Sequence, residues 1–225
     1  MKTPVAYSLT ISLLVILFIS GCSEDPKEQA IREKLETPIF SSLTEEQEYV
    51  DSLQGVRHFK DEWMLESRDS PLKEEDRERF SGLNYFPVDL QYVFRTRLHK
   101  YEDPEIITIG TTTGDDREAI RYGYIEFTIY EDTYRLHAYK FTAHQGTDLD
   151  QYIFIPFKDA TSGSQTYSGG RYMDVQEEIP GVVVVDFNDA YNPYCVYNEA
   201  YSCPIPPREN HIDIAIEAGE KDFKL

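Results

Sequence analysis

The chain has 225 residues, with 41 Asp and Glu against 22 Lys and Arg, and a formal net charge of −19. A field of that sign repels nucleic acids and anionic membrane surfaces, which argues against DNA or RNA as a partner. The 17 Tyr and 12 Phe, beside one Trp and three Met, point to a sheet-rich interior packed with aromatic rings.

The first residues read as an export signal. Lys2 supplies a short positive region, and Val5 to Ile19 is mostly apolar, the length of a signal-peptide core and too short for a membrane-spanning helix. Ile19-Ser20-Gly21-Cys22 resembles the bacterial lipobox, in which small residues lead into a lipidated cysteine. On that reading residues 1–21 are a lipoprotein signal peptide and acylated Cys22 begins the mature chain. The partner of Cys22 is then a lipid bilayer, to which the protein is anchored rather than inserted. The alternative is a plain signal sequence with an incidental cysteine. Ser23 is not Asp, so the cue for inner-membrane retention is missing, and the expected location is the cell envelope, at the outer membrane or cell surface. Acidic Glu24 and Asp25 resemble surface-export tethers. Removing residues 1–21 takes away Lys2 and no acid, leaving 21 basic and 41 acidic side chains. About 200 residues remain, enough for a single domain with a sizeable core.

Residues 22–43 read as a polar, lipid-anchored tether with a short helix around Lys27 to Leu35, ahead of a single β-rich domain over 44–225. Thr44-Glu45-Glu46-Gln47 fits a capping box that opens a helix. Tyr49, Leu53, Val56, Lys60 and Trp63 follow at spacings of three and four, so the helix is expected to reach about Glu66 with this stripe inward. Ser70-Pro71 is a second helix start, with Gly82 as its stop. From Leu90 the period changes to two. Strands are expected from Tyr92 to His99 and at 106–110, 121–130, 134–141, 151–157, 171–175, 182–187 and 211–216, with Glu131-Asp132-Thr133 as a tight hairpin connection. Eight short strands without long helices between them indicate a mainly β fold: a single antiparallel β-sandwich or barrel-like domain with N-terminal helices.

Several stretches together resemble a bacterial and archaeal family called domain of unknown function 1684. They are SPL at 70–72, FSGLNYFPVD at 80–89, TTTGDDR at 111–117, PFKDATSGSQTYSGGRYMDV at 156–175, VDFNDAYNPYCVYNEAYSCPIPPREN at 185–210 and AGEK at 218–221. The resemblance spans residues 45–225 and implies membership without implying an activity.

The chemistry must therefore come from the residues. Cys195 and Cys203 stand in an exported protein, where thiols are normally oxidised, and a disulfide between them would brace a loop rich in Asn and Pro. Soft metal ligation with His211 is an alternative, but the usual zinc spacing is missing, so no metal is assigned. Buried thiols, or a Cys195 nucleophile served by His144 or His211, are further alternatives. Residues 159–172 combine small flexible residues with Arg171, whose planar fork suits a carboxylate or phosphate. It is not a P-loop, and Arg171 has the internal alternative of pairing with Asp159 or Asp186. His58, His99 and His137 read as structural or solvated residues. The adjacent acids Asp115-Asp116 and Glu177-Glu178 point to opposite strand faces, which suits no glycosidase-type pair.

Two long polar loops, 158–170 and 187–210, are unusual in a compact domain. If they meet, Tyr167, Arg171, Tyr191, Asn192, Tyr194 and Asn198 line a pocket for a small polar ligand such as a sugar, through ring stacking and neutral hydrogen bonds. The leading expectation is an envelope-anchored binding or structural module that needs no cofactor. The alternatives are a hydrolase on a small polar substrate, with Arg171 orienting it and an Asp or His as base, and a pure assembly component.

Overall fold

The computed structural model describes residues 25–225, so the signal-peptide and Cys22 readings lie outside the described residues. Two helices, α1 (Pro26–Glu36) and α2 (Leu43–Glu66), precede eight strands: β1 (Val93–Lys100), β2 (Ile106–Gly110), β3 (Asp116–Ile129), β4 (Asp132–Phe141), β5 (Ile153–Phe157), β6 (Arg171–Val175), β7 (Glu177–Ile179) and β8 (Val182–Asp186). All pairings are antiparallel, in the order β6-β5-β4-β3-β1-β8-β7, with β2 paired to β3. The sheet coils into a nearly closed barrel, the mainly β architecture expected. No helix among the described residues is long and apolar enough to cross a membrane.

Alternation along the strands fills the barrel. Leu98, Ile125, Phe127, Leu136, Ile155, Phe157, Met173, Val183, Val185 and Phe187 form one continuous buried cluster. At about 25 cal/mol per Å² of apolar surface removed from water, such a cluster is the main stabilising term. A second cluster lies on the opposite face of the same sheet: Ile109, Ala119, Tyr139, Phe154 and Tyr172, with Phe141 and Tyr191 packed against it. β5 shows why. All five residues of Ile153–Phe157 are buried, so both of its faces are covered, the second by the chain after β8.

Several expected elements differ in the structure. α2 starts two residues earlier than the Thr44 cap predicts: Ser42 Oγ accepts from Glu45 N at 3.2 Å, while the Glu45 carboxylate takes the Ser41 N–H. The box is Ser-x-x-Glu rather than Thr-x-x-Gln, because Ser42 adopts the extended backbone of a cap. The inward face of α2 carries Leu53 and Met64, whereas Val56 faces solvent. No helix forms after Ser70-Pro71; one turn, Glu74–Asp76, is all that follows. Ser70 instead donates to the Met64 carbonyl at 2.6 Å and accepts from Leu72 N, which pins Leu72 into a satellite core with Phe80 and Tyr197. Residues 211–216 do not form a strand. Their backbone meets only the turn after β5, at Lys158 and Ala160, and β7 supplies the eighth strand. The β3–β4 turn is the pair Tyr130-Glu131, one residue before the predicted triplet, and both residues have positive φ, 51° and 77°.

Within the segment expected as a tether, α1 docks on the barrel. Glu28 pairs with Arg97 at 2.8 Å, Lys34 with Glu178 at 3.3 Å, and Ile31 lies against Gly181.

Candidate functional site

A cleft of about 760 Å³ opens on the outer face of β4, β5 and β6. Pairing defines its floor. Phe154 stands opposite Tyr139 on one side and Asp174 on the other, and Tyr172 lies two residues before Asp174 on β6, on the same face. Phe154 and Tyr172 meet edge to face at 4.8 Å, and Tyr172 meets Tyr191 likewise at 5.8 Å, the geometry that ring quadrupoles favour. Tyr172 donates its hydroxyl to the Pro204 carbonyl, which seats the chain after β8 against the sheet.

Two loops raise the walls. One is 142–152, which contributes His144, Leu149 and Tyr152; the other is the stretch from Tyr191 to Pro204, which contributes Tyr191, Pro193, Tyr194, Tyr201, Ser202 and Cys203. The second wall is held by the turn after β2. Thr112 N donates to the Cys203 carbonyl at 2.9 Å, Cys203 N donates to Thr112 Oγ1 at 3.1 Å, and Thr113 Oγ1 donates to Ser202 Oγ at 2.7 Å. That gives the TTTGDDR stretch a structural task. Leu149, Tyr152 and Tyr194 are exposed large apolar side chains, and all three face this cleft.

Polar groups stand at chosen points of this aromatic surface. Asp174 accepts a hydrogen bond from the Tyr191 hydroxyl, and desolvation against the rings pushes its carboxyl above the usual carboxylate range. The Tyr191 hydrogen bond and, to a lesser extent, the neighbouring His144 imidazole work against that rise. Lys60 reaches in from α2 with its ammonium 5.5 Å from the Tyr191 ring, and its charge is matched by buried Glu220. Arg117, on β3, donates to the Ser202 carbonyl at 2.7 Å.

The residues expected to line a pocket divide between two places. Tyr191 and Tyr194 face the cleft. Arg171 does not: it is 1% exposed on the inner face of β6, pairs with Asp159 at 3.2 Å, and donates to the carbonyls of Ile216, Ala218 and Glu220. Its internal alternative, Asp159, is the partner found. Asn192 is buried and donates to the Lys221 carbonyl while its N–H goes to Glu220. Asn198 caps its own turn by accepting from Ala200 N. Tyr167 lies with its hydroxyl 3.9 Å from Cys195 Sγ. The 158–170 loop thus folds on itself through Asp159, Thr161 and Thr166, none of its residues lines the cleft, and 142–152 takes its place there.

The expected Cys195–Cys203 bridge is not formed: both are free thiols. Their sulfurs stand in hydrogen-bonding contact, and Cys195 N donates to Cys203 Sγ at 3.2 Å. Donation from the Cys203 thiol, with help from Tyr167 and Thr112, lowers the Cys195 thiol to about 6, and the same bond and burial push Cys203 up. No group of three or more metal-ligating side chains occurs among the described residues.

Asp174, Tyr152, Leu149 and Arg117 escaped the sequence reading. The signal for the floor was present in the unbroken apolar run Ile153–Phe157, which requires cover on both faces of β5. Nothing comparable marks the wall residues, whose convergence depends on the fold.

Comparison with known proteins places these features. Residues 78–221 match the model of a family described as protein of unknown function (DUF1684). A solution NMR structure of an uncharacterised protein from Haloarcula marismortui is similar at 33% identity, with a TM-score of 0.61, over 79% of this chain and 96% of that one. No curated protein matches the chain.

Proposed function

The chain belongs to the DUF1684 family of proteins of unknown function, and from its own geometry we propose that it binds a small hydroxylated ligand of the sugar type in the cleft over β4, β5 and β6. One observation carries this reading: an open trough floored by Phe154 and Tyr172 and flanked by the exposed side chains of Tyr152, Leu149 and Tyr194, with polar groups at its margins. Ring faces suit the apolar face of a pyranose, and hydroxyls of the ligand find Asp174 and the tyrosines as hydrogen-bond partners. The lining contains a single carboxylate, Asp174, where glycoside hydrolysis ordinarily uses two. Binding is therefore favoured over glycosidic turnover.

A glycan array probed with the full-length protein and with Tyr194→Ala tests the proposal. Saturable binding that the variant loses supports it; an array blank for the wild type rejects it.

The raised pKa of Asp174 beside His144 favours one second reading, a hydrolase in the same cleft with Asp174 as the proton donor. Turnover of aryl esters or aryl glycosides that vanishes in Asp174→Asn would select it.

Export and anchoring belong to the same proposal. The apolar run Val5 to Ile19 and the Ile19-Ser20-Gly21-Cys22 stretch support an acylated Cys22 in the cell envelope. Incorporation of a clickable fatty acid in cells, absent from Cys22→Ala, is the expected result. In an oxidising envelope the neighbouring thiols of Cys195 and Cys203 would close to a disulfide, with electrons passing to a disulfide-exchange oxidant and both thiol protons to solvent.

A further inference from the structure

Resting on the binding reading above, we propose that the ligand is acidic, a sugar bearing a carboxylate or phosphate group, and that Arg117 holds its anion. The charge distribution carries the argument. The chain has a net charge of −19, and most arginines on the barrel wall are neutralised locally. Arg95 pairs with Glu178, Arg97 with Glu28, Arg135 with Glu126, and Arg121 with Glu209. Arg121 is instructive, because it lies four residues from Arg117 on the same strand and projects from the same face. Arg117 makes no ion pair among the described residues. Its hydrogen bond to the Ser202 carbonyl uses one of five guanidinium N–H donors and fixes the group at the cleft wall.

The other charges in the cleft fix the ligand's direction. Lys60 is spoken for by Glu220. Asp174 lies on β6, three strand positions from β3, and the register aligns it with Phe154, Tyr139 and Arg121. Arg117 is four residues further along β3, so the two backbone positions are ~19 Å apart at the usual interstrand spacing and strand rise. An anion beside Asp174 would be repelled, whereas a hydroxyl there gains an acceptor. The acidic group therefore sits at the Arg117 end, the hydroxylated end at Asp174, and the sugar rings over Phe154 and Tyr172 between them. A guanidinium with free parallel N–H groups suits the paired oxygens of either a carboxylate or a phosphate.

The single Trp gives a probe already in place. Trp63 stacks on cleft-lining Tyr194 at 6.4 Å, so its fluorescence reports on that wall. Full-length protein is titrated with cellobiose, digalacturonate and glucose 6-phosphate, in the wild type, Arg117→Gln and Arg117→Lys. The expected result is that at least one acidic sugar binds the wild type roughly tenfold more tightly than cellobiose, the size of one charge-assisted hydrogen-bonding site. Arg117→Gln should abolish that margin, and Arg117→Lys should keep only part of it. Preference for digalacturonate identifies the anion as a carboxylate, and preference for glucose 6-phosphate as a phosphate. Equal binding of neutral and acidic sugars, or an acidic preference that survives Arg117→Gln, overturns the Arg117 proposal and leaves the cleft reading standing. Failure of all three probes to bind, with the glycan array also blank, overturns both. Unchanged melting temperatures in the two variants, expected for an exposed residue, tie the result to binding.

Discussion

Arg171 and Asp174 stand three residues apart on β6 and face opposite sides of the sheet. Arg171 points inward, where Asp159 and three backbone carbonyls enclose it, and the Phe157 ring lies 5.2 Å from its guanidinium. Asp174 points outward onto a surface of tyrosines, with one hydroxyl donor and an open approach. Both are ionisable side chains in aromatic surroundings. The difference lies in what closes around them. A charge surrounded on every side by the protein's own partners holds the fold together, whereas one left with room for another molecule is available for recognition.

That contrast can be broken most directly at Arg171. Removing one partner of a buried ion pair leaves the other charged and desolvated, at a cost of ~3–5 kcal/mol. Arg171→Ala should therefore lower the urea midpoint sharply or leave the chain unfolded, by orphaning Asp159 and freeing the 216–221 segment. Gly219 in that segment is a second lock on the same region: its φ is +76°, and a Cβ would lie 2.5 Å from the Ala190 carbonyl oxygen. If Arg171→Ala melts like the wild type yet loses ligand, the assignment of roles along β6 is reversed.

Asp174→Asn should do the opposite, impairing recognition while sparing the fold. The sign of its pH effect follows from the raised pKa. Ionisation is disfavoured in the folded state relative to the unfolded chain, so the charged carboxylate weighs against folding once pH exceeds the raised value. That penalty fades as pH falls through it and is gone below the unfolded value. The variant should match or exceed the wild type in melting temperature at neutral pH, and the two should converge in acid. A variant that melts lower at pH 7 would mean that the Tyr191 hydrogen bond outweighs the desolvation.

The sequence makes the inward side of this comparison easier to read than the outward side. Strand alternation, Tyr-rich composition and the Gly and Pro punctuation give a barrel with nearly correct strand limits, because each strand's pattern reports its own two faces. The Arg171–Asp159 pair was likewise open to inference, since twelve residues and a turn separate the partners. The cleft joins β3, β4, β5, β6, α2 and two loops. No local pattern encodes that Tyr152 and Tyr194 flank one trough, or that Arg117 lacks the acid that Arg121 has. For the same reason 211–216 reads as a strand: Ile212, Ile214 and Ile216 alternate, but they pack as an extended segment against the 158–160 turn rather than in a ladder.

The thiols sharpen the comparison at smaller scale. Cys195, partly accessible and lowered to about 6, should alkylate with iodoacetamide at a rate that rises through that pH under reducing conditions, while buried Cys203 stays unmodified. Tyr167→Phe removes a donor to the thiolate and should move the midpoint upward. After oxidation the labelling should disappear together with a mass loss of two hydrogens. Persistent labelling of air-oxidised protein would exclude the bridge.

The smallest effect belongs to a place where strain serves neither region. Tyr130 and Glu131 both hold positive φ in the two-residue turn between β3 and β4, the left-handed geometry that matches the twist of a hairpin. Such residues cost of order 1 kcal/mol each in most contexts, and clustered strain often marks function. Here the turn supplies no residue to the cleft lining and none to the hydrogen bonds of Arg171, and Glu131 makes no ion pair among the described residues. Glu131→Gly should relieve the strain, offset in part by the greater freedom of glycine in the unfolded chain, for a net gain of at most about 1 kcal/mol. A rise of a few degrees in melting temperature with unchanged binding would mark the turn as a requirement of hairpin geometry alone. Lost binding would instead extend the functional surface to the far end of β3 and β4, and the division between the two faces of β6 would no longer account for it.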